Sequence, residues 1–226
     1  MSIPAIVRFR SALSIVIIAM VLIMQSNNSS RSAEEKLSLP EATALYARSP
    51  FLQDKSSIGP APELRLSEER SEEIWKQMHA QLFRVDKRRQ DGELLSSGEY
   101  VLIHDKNIFQ LVPPAMPVIQ YQPPNMVLAD IDHDGRAELF FCYSWGIGIF
   151  YSTASVLFQD GARLVPGGKL TYRLGNLSLR KQDEQNVCVL LDGKKMLGRF
   201  VCDSHRCYFK LDEGLPADIR RHITGM

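Results

Sequence analysis

No charge of one sign dominates this sequence. Its 27 lysines and arginines stand against 26 aspartates and glutamates, a formal net charge of +1. That balance leaves no whole-chain basic field to hold nucleic acid and no acidic field to solvate a tail. No cysteine occurs before Cys142, and all four (Cys142, Cys188, Cys202, Cys207) lie in the C-terminal half. No HExxH pairs two histidines on a helix face, no glycine-rich loop offers N–H groups to phosphates, and no GxGxxG opens a dinucleotide fold. Ser144 lacks the glycine that a nucleophile elbow has two residues earlier, because position 142 is cysteine. No strong internal repeat is present. No apolar run reaches the ~20 residues of a membrane-spanning helix.

What the chain does have is an ordinary globular composition, 45% hydrophobic and 23% charged. Its 226 residues suit one domain plus an export segment. Arg8 and Arg10 precede an uncharged run from Ser11 to Met24, and a polar QSNNSSRSAEEK follows. Positive, apolar and small-polar regions in that order describe a secretory signal over residues 1–32. The alternative is an uncleaved N-terminal membrane anchor. Either places the protein outside the cytoplasm: periplasmic, extracellular, or anchored and facing outward. No cysteine follows the apolar run, so a lipoprotein attachment site is absent. Residues 33–66 read as a polar linker with one short helix, which starts after Pro40 and stops near Pro50.

The spacing predicts an amphipathic helix over 67–90, opening a helix-plus-β domain that fills 67–226. Ser67 stands as N-cap, with Glu68, Glu69, Glu72 and Glu73 in the first turns. Ile74, Trp75, Met78, Leu82, Phe83 and Val85 recur at three- and four-residue spacing. Such a stripe packs on its own domain or, in the functional reading, holds a protein partner.

From Ser97 the period changes to two. GEYVLIHDKNIFQLVP reads as a hairpin about Asp105-Lys106-Asn107, and the proline-rich PPAMPVIQYQPPN as a loop. About ten short strands follow one another with Asp-Gly or Gly-Gly punctuation, closing on NVCVLL, MLGRFVC and CYFKLD. The expected fold class is mainly β, a compact antiparallel and meander-rich domain.

The chemistry concentrates in ADIDHDGRAELFF, residues 129–141. Calcium takes six to eight oxygens, many of them carboxylate, and acids at alternate loop positions supply them. Asp130, Asp132 and Asp134 fall at positions 1, 3 and 5, and Gly135 at position 6 permits the bend. The Arg136 carbonyl falls at position 7 and Glu138 at position 9. An EF-hand is excluded, because its position 12 glutamate is here Phe141 and the flanks read as strands. An occupied loop of this kind fixes a hairpin, a structural role, and no nucleophile or base is marked out beside it.

The stretch ADIDHDGRAEL resembles the calcium loop of FG-GAP/VCBS repeats, and FFCYSWGIGIF more loosely resembles the strand after it. The resemblance implies calcium held by the side chains of Asp130, Asp132, Asp134 and Glu138 and the Arg136 carbonyl. Two features depart from the family. His133 stands where it has glycine, and the motif occurs once rather than in series. A propeller of that family needs at least ~16 strands, so a single loop on a compact domain is expected instead.

If VC and CYF are adjacent antiparallel strands, Cys202 and Cys207 face each other and meet disulfide geometry. The competing arrangement is a zinc site of Cys188, Cys202, His205 and Cys207. Cys142 and Cys188 either pair or remain buried thiols. The functional expectation is an exported, non-enzymatic interaction or surface module with one structural calcium loop. The alternatives are an exported hydrolase with catalytic residues not readable from sequence, and a membrane-tethered accessory factor.

Overall fold

A computed structural model describes residues 35–52, 62–114, 124–146, 150–161, 163–184, 186–203 and 205–225. The export segment expected over 1–32, the linker residues 53–61 and most of the proline-rich stretch (115–123) lie outside them. Among the described residues, no helix is long and apolar enough to cross a membrane.

The domain is mainly β, with thirteen antiparallel strands in three sheets among the described residues. Helix α1 (Leu39–Ala47) comes first, then β1 (Glu63–Glu69), α2 (Ser71–Met78), β2 (Gln81–Arg88), β3 (Leu94–His104) and β4 (Asn107–Val112). Strands β1 to β4 form the first sheet in sequence order. Strands β5 (Asn125–Ala129), β6 (Glu138–Trp145), β7 (Tyr151–Asp160) and β8 (Arg163–Arg173) form the central sheet. Strands β9 (Leu177–Asp183), β10 (Asn186–Leu191), β11 (Lys195–Asp203) and β12 (Arg206–Leu211) form the third. The short α3 (Ala217–Arg220) then leads to β13 (Ile223–Thr224), which returns to pair with β8 at the edge of the central sheet.

The sheets stack because strand side chains alternate between faces. Leu139 and Phe141 of β6 join Leu82, Leu102 and Leu111 of the first sheet in one core. Phe140 and Cys142, the residues between and after them, join Val187, Val189, Leu197 and Phe200 of the third sheet in another. The central sheet is thus covered on both faces, which is why β6 reads as a continuous apolar run. Each large apolar side chain buried this way contributes about 1.5–3 kcal/mol. The central and third sheets approach closely at Gly167 and Gly168 in β8. A Cβ on Gly168 would lie 2.8 Å from the Phe209 nitrogen and the Tyr208 Cα in β12.

The short helix expected between Pro40 and Pro50 is α1, whereas residues 63–66, expected as linker, belong to β1. Helix α1 has Pro40 in its first turn, and the Ser38 N–H donates to Glu41 Oε2 at 2.8 Å. Its Ala42 and Tyr46 are fully buried against Phe83, Val85, Val101 and Ile103 on the outer face of the first sheet.

The helix expected over 67–90 is corrected. Only Ser71–Met78 is helical, and it is bounded by Arg70 and His79, each left-handed at φ 50°. Residues on both sides form strands that pair with each other, from Glu69 opposite Leu82 to Glu63 opposite Arg88. The ladder of hydrogen bonds to β1 and β3 overrides helical spacing in a short apolar run. Phe83 and Val85 face α1 while Leu82 faces the central sheet, so their true period is two. Ile74 and Met78 are fully buried, which removes the continuous apolar stripe on which a partner face along 67–90 was expected.

Candidate metal centre

Strands β5 and β6 close a hairpin in which Ala129 pairs with Glu138. The acidic loop runs between them. Its backbone turns through two left-handed residues, His133 (φ 60°) and Gly135 (φ 85°). Gly135 adopts that conformation freely, whereas histidine bears a steric cost of about 1–2 kcal/mol.

The loop's own N–H groups orient the carboxylates. Asp130 Oδ1 accepts from the Asp134 N–H at 3.1 Å and Oδ2 from the Gly135 N–H at 3.0 Å. Asp132 Oδ1 accepts from the Asp134 N–H at 3.2 Å, and Asp134 Oδ1 from the Arg136 N–H at 2.8 Å. Glu138 is 3% exposed, and its Oε2 accepts from the Ile131 N–H at 2.9 Å. One carboxylate oxygen from each of Asp130, Asp132, Asp134 and Glu138 lies within 4.8 Å of the others.

The hairpin is pinned on both sides. Ile131 is packed in the core shared with the third sheet, and Ala137 in the core shared with the first. The Arg136 guanidinium donates to the Gly161 carbonyl in the β7–β8 turn. The four carboxylates therefore converge on a point that the fold holds in place.

Convergence without a cation is unfavourable. Burial pushes the Glu138 carboxyl up to about 8; the Ile131 N–H pulls against this, while Asp132, Asp130 and Asp134 reinforce it. Asp132 is raised too, first by its burial and then by Asp134 and Asp130. A set of hard oxygen donors with no thiolate or imidazole suits calcium or magnesium rather than zinc or copper. A divalent ion there would offset both the burial and the repulsion. Among the described residues, this is the only group of three or more His, Cys, Asp or Glu side chains placed to hold a metal.

The cysteines divide as the geometry requires. Cys202 and Cys207 are opposite each other in the β11–β12 ladder and form a disulfide, with Cα atoms 4.0 Å apart. Cys142 and Cys188 are free and buried. Burial pushes the Cys142 thiol up to about 12. The Cys188 thiol donates to Gln182 Oε1 at 2.9 Å. The alternative zinc set is therefore not assembled.

One cluster was missed in the sequence. Glu99 is fully buried, bonded by the Tyr46 hydroxyl at 2.7 Å and Gln110 Nε2 at 2.8 Å, with Lys87 Nζ at 3.0 Å. Burial first, then Glu99, raises the Tyr46 phenol far above its ordinary range. The available signal was register: Glu99 shares a strand face with Val101 and Ile103, both of which are core residues. The cluster ties α1 to the first sheet, and its polar atoms are spent on one another.

Fold and site together define a layered antiparallel β domain carrying an acidic strand–loop–strand turn. Comparison with protein families, curated proteins and solved structures found no match.

Proposed function

We propose that this is an exported, non-enzymatic interaction or surface module whose 130–138 loop holds one structural calcium ion. The observation that carries the reading is the convergence of four carboxylate oxygens within 4.8 Å, one of them from a glutamate only 3% exposed. A buried carboxylate among three others is costly unless a cation balances it. Asp130, Asp132, Asp134 and Glu138 supply side-chain oxygens, and the Arg136 carbonyl completes the set. The ion's work is to fix the β5–β6 hairpin. It adds stability by mass action, about 2.7 kcal/mol when free calcium stands a hundredfold above the dissociation constant. The export reading rests on the arginine-flanked apolar run, Ser11–Met24.

Calorimetric titration of calcium into the chain, beside the double variant Asp132→Ala/Asp134→Ala, tests this. Binding heat in the parent and none in the variant is expected, with EDTA lowering the parent's melting temperature. Equal heats, together with a melting temperature indifferent to EDTA, would overturn the calcium assignment.

A further inference from the structure

We propose that the outer face of the third sheet docks an acidic polysaccharide along a row of three cations, Arg180, Arg199 and Lys210. Register builds the row. Cys188 of β10 stands opposite Arg180 of β9 on one side and opposite Arg199 of β11 on the other, and Arg199 stands opposite Lys210 of β12. Directly opposed strand residues share a face. The residues beside them in sequence, Leu179, Val187, Val189, Phe200 and Phe209, are packed in the core against the central sheet, so the row points away from it. All three cationic residues are exposed.

Two features set the row apart from ordinary surface charge. Like charges directly opposite each other destabilise a sheet. Yet Lys210 faces Arg199, and among the described residues none of the three cations makes a side-chain hydrogen bond or ion pair. Burial and then Asp183 raise the Cys188 thiol, while Arg199 and Arg180 both pull against them, so both guanidiniums lie near that thiol. The acids at the margins are engaged elsewhere. Asp203 pairs with Arg206 at 3.0 Å, both Asp183 oxygens accept from Asn186 Nδ2, and Asp212 Oδ1 accepts from the Gly214 N–H at 2.9 Å. Glu213, in the turn after β12, shares a hollow of about 230 Å³ with Met196, Arg199 and Lys210. Three cations thus stand against that one carboxylate.

Spacing and chemistry select the occupant. Adjacent strands lie about 4.8 Å apart, so the backbones bearing Arg180 and Arg199 are about 10 Å apart across β10. A lone small anion bridges Arg199 and Lys210 at most. Filling the row takes one molecule with anionic groups spaced along it. Single-stranded nucleic acid is held by aromatic platforms on which successive bases stack. This face has one exposed ring among the described residues, Tyr208 at 40%, and the Arg206 guanidinium already lies over it at 5.2 Å. A chain of acidic sugars needs only the cations, and arginine forks take carboxylate or sulfate oxygens in pairs. The proposal rests on the interaction-module reading and names its partner class, but it does not depend on calcium.

The test presents the full chain, in EDTA, to immobilised polygalacturonate, dextran sulfate, neutral dextran and the oligonucleotide dT20, with binding read by biolayer interferometry. The parent is expected to bind a charged glycan and to ignore neutral dextran. Arg199→Gln/Lys210→Gln should weaken that binding about tenfold or more. Its melting temperature should hold or rise, because a like-charge pair is removed. Arg163→Gln/Arg173→Gln takes the same charge from exposed positions of β8 and should bind as the parent does. Binding to neither charged glycan overturns the proposal, as does binding that survives loss of the row or falls equally in the β8 variant. Tighter binding of dT20 than of either glycan overturns the polysaccharide assignment, and a lower melting temperature in the row variant overturns the row as a docking device. Because EDTA is present throughout, an empty calcium loop leaves these outcomes unchanged.

Discussion

Replacing Glu138 with glutamine should act in opposite directions with and without calcium. In the metal-free protein the Glu138 carboxyl is moved from 4.5 to about 8, chiefly by burial. A carboxyl whose folded value is raised contributes its full stability below the unfolded value and loses it as pH climbs to the folded one. The window here is pH 4.5 to about 8. At pH 7 the unfolded chain has the group ionised and the folded chain has it protonated. Each pH unit in the window costs about 1.4 kcal/mol, so the penalty at pH 7 is about 3 kcal/mol. Glutamine removes the titration and keeps an oxygen for the Ile131 N–H. In EDTA at pH 7, Glu138→Gln should therefore melt about 6–10 °C above the parent. Added calcium should raise the parent and leave the variant where it was. Binding should also expel close to one proton at pH 7 and about a tenth of one at pH 9. Calorimetry in two buffers of different ionisation enthalpy reads that release directly. Heats identical in both buffers, or a variant less stable than the parent in EDTA, would refute the reasoning.

Gly168→Ala forces a Cβ to within 2.8 Å of β12 backbone atoms, and a loss of about 2–3 kcal/mol is expected in denaturant melts. Tyr46→Phe deletes the hydroxyl that reaches Glu99 at 2.7 Å; unfolding should ease by about 1–3 kcal/mol, with protease cutting first near α1. Cys202→Ser/Cys207→Ser opens a closed loop with a sequence separation of 5, which costs about 2 kcal/mol. Intact mass should rise by about 2 Da when the parent is reduced, and a constant mass would contradict the bridge.

The strands from Asn125 to Leu211 were legible because chemistry punctuates them. Gly161, Asp192 and Gly193 mark real turns at φ 62°, 49° and 69°. The hairpin at Asp105-Lys106 was legible for the same reason, with both residues at positive φ. The acidic loop was visible as spacing, and Cys202 opposite Cys207 as register. The 67–90 region was not, since Gln81–Arg88 is stabilised as a strand by β1 and β3, partners that a local pattern cannot reveal. Gly167-Gly168 reads like a turn signal but lies inside β8, where the missing side chains admit β12. Strand β1, ELRLSEE, is an edge strand with most side chains at least partly in solvent, so its composition is polar and strand-poor. The Glu99 cluster lay hidden because its partners come from α1, β2 and β4. The layering of the three sheets depends on which faces meet, and alternation along one strand does not state that.

The central sheet gives each of its faces to a different core. A mutation that loosens β6 therefore weakens both interfaces at once, and neither outer sheet keeps a complete partner without it. The two sandwiches are coupled through shared backbone, so heat should disperse them in a single cooperative transition. The amides slowest to exchange with solvent should belong to β6 and β7, with the acidic hairpin as the boundary at which that protection falls away.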